Sequence, residues 1–165
     1  MPGVRVGVVA PTEDIGAGCV LILMALDLHA LETSFDLVAP RGDELVEVFY
    51  ARLFEAAPAV TPLFAETDMQ RQKSMLLGTL VLLRKSLRDL GAIVPKLREL
   101  GRKHVAYGAH AEHYPVVGTV LIASMAEVAG ERWRPEYERA WSAALEVVAG
   151  AMLAGAAAGR VDPAV

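Results

Sequence analysis

Cysteine is nearly absent. Cys19 is the only one in 165 residues, which excludes an internal disulfide and fits a reducing, cytoplasmic setting. Positive charge is also short, with 16 Lys and Arg against 20 Asp and Glu and a net charge of −4. Nucleic acids and anionic membranes favour a basic surface, so neither is an expected partner. Aromatic residues make up only 6% of the chain, and a core has to come mainly from the Ala, Leu and Val that dominate the 54% hydrophobic content. The uncharged runs, residues 15–26 and 147–159, fall short of the roughly 18–20 residues of a spanning helix. Strand-like alternation is missing throughout.

What is present is helical periodicity. Leu28, Leu31, Phe35 and Val38 recur at three- and four-residue steps and predict a helix ending before Pro40. Asp43 is expected to cap a second helix with Leu45, Phe49 and Leu53 inside. Pro58 and Pro62 bracket a short turn. Asp68 opens a helix to about Leu87, aligned on Met69, Leu76, Leu80, Leu83 and Leu87. A further helix is expected over about residues 92–108, with Pro95 in its first turn. Pro115 and Pro135 fit the first turns of the last two helices, separated near Gly130. The pattern predicts an all-α domain of about seven helices without internal repeats.

Residues 1–23 stand outside that scheme, carrying four glycines and two prolines and no amphipathic face. They are expected to be a dispensable extension, disordered or translated upstream of a true start at Met24. The domain is then expected over residues 24–160, followed by a short tail, 161–165.

Three of the four histidines fall in "HVAYGAHAEH", residues 104–113. His110 and His113 would share a face on a continuous helix and could reach one zinc ion. His104 lies roughly 120° from His110 around such a helix, and no convincing fourth ligand exists. His104 by itself follows Leu97 and Leu100 at i, i+3 and i+7, on the apolar face. A lone histidine there is ordinarily a hydrogen-bonded core residue, with iron ligation the alternative.

Three motifs weigh on that choice: "VFYARLFEAAPAVTPLF", "DMQRQKSMLLGTL", and "KH" followed by "HYPVVG". In this order the chain from about residue 25 to 158 resembles the bacterial single-domain haemoglobins and the globin half of flavohaemoglobins. The resemblance implies a globin fold of six to eight helices around a haem pocket, with haem b held by His104 as its proximal iron ligand. It further implies a haem contact from Phe64, a distal Tyr50, a distal Gln72 and an apolar Leu76 over the iron. Gln70 rivals Gln72, because the link from Phe64 is about two residues short for the family. Facing favours Gln72, which shares a stripe with Leu76, Leu80 and Leu83, while Gln70 projects beside Lys73.

Tyr50 and Gln72 would donate hydrogen bonds toward a diatomic ligand; the bland alternative for Tyr50 is a core tyrosine with a wet tip. Met69, Met75, Trp133 and Trp141 read as packing, and Lys103 is a candidate contact for a haem propionate. Tyr114 matches a tyrosine that in flavohaemoglobins works with a glutamate to make the proximal imidazole more basic. The glutamate position falls at Ala156, so His104 is expected to bond a backbone carbonyl such as that of Leu100.

The resemblance implies reversible binding of O2, and of NO or CO, in an oxygen-carrying globin. NO dioxygenation is the alternative; it needs a separate reductase, since the 165 residues include no flavin or nicotinamide domain. A gas or redox sensor is a third reading, with no output domain in its favour. The sequence leaves a homodimer open.

Overall fold

The computed structural model describes residues 25–158. Cys19, Met24 and the boundaries expected at residues 23 and 160 lie outside the described residues. Among the described residues six α-helices follow one another: α1 (Leu28–Val38), α2 (Gly42–Ala56), α3 (Met69–Ser86), α4 (Val94–Ala106), α5 (His113–Ala129) and α6 (Pro135–Ala158). The segments Pro58–Phe64 and Leu87–Ile93 are tighter 3-10 turns, and no strand occurs among the described residues.

The helices begin and end largely for the reasons the sequence supplies. Asp68 accepts from the Gln70 and Arg71 amides at the start of α3. Asp27 does the same for Ala30 at α1. Asp43 departs from expectation: a 3-10 turn over Ala39–Arg41 runs directly into α2, so Arg41 occupies the cap position with no side-chain bond to the helix amides. Asp43 and Glu44 sit instead in the first turn, where carboxylates complement the helix dipole. α4 is also shorter than expected. Asp89 leaves helical geometry (φ −146°, ψ 60°), and Gly108 adopts φ 89° just past the other end.

Packing is pairwise. α4 lies along α6, α2 crosses α5, α1 covers α6, and α3 rests on α2 and on the 87–93 turn. α3 and α4 share no substantial interface. The core is continuous, from Leu31 and Phe35 of α1 through Phe49, Leu80, Leu97 and Met125 to Trp141. α6 has an 18-residue stretch of mean hydropathy 1.5, which by length and composition would suit a bilayer. Here 44% of that stretch is buried within the fold, with Ala144, Val147, Ala151 and Met152 turned inward.

Trp141 is fully buried, and its indole N–H donates to Ser34 Oγ at 2.8 Å; Ser34 in turn donates to the Ala30 carbonyl. Ser34→Ala strips the indole of its acceptor in a dry site. Unfolding free energy is expected to fall by about 1–3 kcal/mol, measured by chemical denaturation, with an unchanged denaturant slope.

Candidate functional site

Two helices with separate supports carry the site. On α2, Glu47 and Tyr50 lie one turn apart and bind the successive residues Lys73 and Gln72 of α3. Lys73 Nζ reaches Glu47 at 2.8 Å, and the Gln72 amide donates to Tyr50 Oη at 3.1 Å. Gly42 closes the same interface lower down, because a Cβ there would fall 2.9 Å from Leu77. Gln72 turns toward Tyr50, and Gln70 is exposed.

Tyr50 is 4% exposed and sits in an aromatic wall. Its ring lies 4.9 Å from Phe49, 6.0 Å from Phe54 and 5.8 Å from Phe64, with Phe54 and Phe64 5.4 Å apart. Phe54 was not singled out from the sequence, although its place four residues after Tyr50 on one helix face was a usable signal. Leu76, one turn beyond Gln72, is half-buried. Met75 is a correction to the packing expectation, since it is 54% exposed. Met69, Trp133 and Trp141 do pack on the core.

Because the amide donates to it, the phenol oxygen accepts, and the phenolic hydrogen is left for another acceptor. Burial pushes the Tyr50 pKa above its ordinary 10.0, while the Gln72 hydrogen bond pulls it partly back.

On the other side, His104 is half-buried near the end of α4. Its Nδ1–H donates to the Leu100 carbonyl at 2.8 Å, as the missing carboxylate at 156 led one to expect. That bond fixes the ring and leaves Nε2 available to a metal. Tyr107 and Tyr114 flank the imidazole at 5.8 and 6.5 Å. Tyr114 and Ala156 line one cavity of about 180 Å³ with Val105 and Leu153. Lys103 is exposed beside His104.

The other histidines behave differently. His110 precedes α5 and is exposed, and its backbone N–H donates to His113 Nδ1 at 3.0 Å. Among the described residues, no group of three His, Cys, Asp or Glu side chains could hold a metal ion.

The two walls fit one kind of guest. A single imidazole with Nε2 unspent suits iron, and apolar stripes left half-buried at Leu76 and Leu100 suit a flat hydrophobic ring. The globin family profile matches residues 47–152. The chain belongs to the globin family.

Relatives of this globin include a flavohemoprotein from Bacillus cereus, 32% identical over 134 residues and 80% of the chain, and one from Bacillus subtilis, 27% identical over 128 residues and 76% of the chain. The globin spans about a third of these proteins, 33% and 32% of their lengths respectively. Two solved structures share its fold. A bacterial globin from Campylobacter jejuni has a TM-score of 0.70 at 20% identity, covering 79% of this chain and 94% of its own. An engineered carbene transferase from Rhodothermus marinus has a TM-score of 0.72 at 23% identity, covering 79% and 91%. Membership in the family implies haem binding.

A raised phenol pKa has a definite sign in the pH dependence of stability. The unfolded chain ionises Tyr50 first, so its contribution is intact below pH 10 and is lost as pH rises through the higher folded value. Unfolding free energy measured from neutral to strongly alkaline pH is expected to fall less steeply above pH 10 in Tyr50→Phe than in the wild type.

Proposed function

We propose that this globin reversibly binds O2, and also NO and CO, at a five-coordinate haem b carried by His104. Haem, when bound, supplies an iron atom that takes up diatomic gases. The reading is carried by one arrangement: an imidazole with only Nε2 to offer, and a buried phenol–amide pair, on walls that do not pack together.

The residues divide the work by geometry. The Leu100 carbonyl sets the rotation of the His104 ring. Phe54 and Phe64 pack against the Tyr50 ring and hold it in place. Tyr50 points its hydrogen into the pocket, and Gln72 acts through Tyr50 by donating to it. Donors in series reinforce each other in a low-dielectric site. Such a donor stabilises a ligand that gathers negative charge, as O2 does, and does little for CO. No histidine stands on α3 to compete as a sixth ligand; Met69 packs on the core at its first turn, and Met75 is exposed.

NO dioxygenation with a separate reductase is the second reading, favoured by the flavohemoprotein relatives. Ala156 stands against efficient turnover, because among the described residues that line the cavity it shares with Tyr114 there is no carboxylate to make His104 more basic.

Ligation at His104 has a direct spectroscopic test. His104→Ala is expected to abolish or scramble the Soret band, whereas His110→Ala and His113→Ala leave it nearly unchanged. A normal spectrum for the first variant would sink the assignment.

The serial donor arrangement predicts unequal effects on O2 release. Tyr50→Phe should raise the O2 dissociation rate about tenfold to a hundredfold, the equivalent of about 1.5–3 kcal/mol, and barely change that of CO. Gln72→Leu should have a smaller effect and almost none in the Tyr50→Phe background. Stopped-flow ligand replacement measures all four rates. Equal changes for O2 and CO would point to steric access instead.

A further inference from the structure

Glycine is a poor helix residue, yet both α4 and α6 carry one at the point where they cross. A Cβ built on Gly101 of α4 would fall 1.9 Å from the Met152 carbonyl oxygen, and one on Gly155 of α6 would fall 2.0 Å from the Arg98 carbonyl oxygen. Side chains in real proteins essentially never approach closer than 3.0 Å in this way. Both obstacles are main chain, so neither can rotate aside. The two helices therefore touch backbone to backbone, each through the other's missing side chain. Other helical glycines lack this constraint: Gly78 has open space, and a Cβ on Gly118 would meet only Leu145 at 3.8 Å.

The crossing sits one turn before His104, at about 60° around the same helix. We infer that Gly101 and Gly155 are positioning residues for the His104 imidazole: the seating of Gly101 on the Met152 carbonyl and of Gly155 on the Arg98 carbonyl fixes the depth and rotation of α4 before any cofactor arrives. The role assigned to His104 rests on the haem reading; the crossing itself does not. Adding one methyl at either glycine must drive the helices apart by more than about 1 Å to restore ordinary contact. A functional group needs to be held within roughly 0.5 Å, so the displacement exceeds what the axial ligand tolerates. In a chain built this way, the proximal helix is preformed, and cofactor binding need not order it.

Two measurements test this. In the haem-free full chain, amide hydrogen exchange should show residues 97–104 of α4 protected as well as residues 141–152 of α6. Exchange of the α4 amides at the rate of unstructured chain would overturn the inference. In the ferrous holoprotein, Gly155→Ala should displace the iron–histidine stretching band seen by resonance Raman and speed haem loss, while Gly118→Ala leaves both at wild-type values. An unshifted band in folded Gly155→Ala would overturn it as well. Should Gly155→Ala fail to fold, the exchange experiment decides alone, on the unaltered sequence. Failure of the haem reading looks different: the wild type itself would show no iron–histidine band, whatever the exchange pattern.

Discussion

The fold has to hold two helices rigid while keeping them from packing on each other. α3 and α4 are the walls of the site, and each would bury its apolar stripe against the other if nothing else held it. Separate anchors prevent that. α3 is tied to α2 by the Gln72–Tyr50 and Lys73–Glu47 bridges, and α4 is seated on α6 through bare backbone. The slot between them follows from this division, and so does the partial exposure of Leu76 and Leu100, which would be a packing fault in a closed bundle.

Scarce residue types are spent unevenly. Three of the four phenylalanines, Phe49, Phe54 and Phe64, surround Tyr50, leaving Phe35 to pack with Trp141 in the core. Elsewhere the interior is aliphatic, and α6 meets its neighbours largely through alanine and glycine. Large rings give stiff, dry walls where a polar group must be kept from water, and small residues serve where helices must approach closely. The composition is lean because the two requirements fall on different parts of the chain.

Much of this was legible in the sequence, and the reasons are local. The helices and their order followed from periodicity and from Asp68, Pro95 and Pro135, each acting within a turn of itself. Gln72 was separable from Gln70 because facing is set by helix geometry alone. Asp43 misled because the 3-10 turn at Pro40 joins α2 without a break, which no capping preference reveals. Met75 shows that a methionine on an apolar helix need not face inward. The close approach at Gly101 and Gly155 was invisible for a deeper reason: either glycine alone reads as a weak spot, and only the Met152 and Arg98 carbonyls on the facing helices give them a purpose.

The protonation of Tyr50 reaches beyond stability. Its hydrogen stays on the oxygen across the whole neutral range, since an ordinary phenol pKa of 10.0 already ensures this and burial raises it further. The group facing the pocket is therefore a fixed donor, unlike a histidine in the same place, whose charge would change within the range a living cell visits. If a ligand is held on this side of the slot by that hydrogen bond, as proposed above, acidification of the surroundings leaves the Tyr50 donor unchanged.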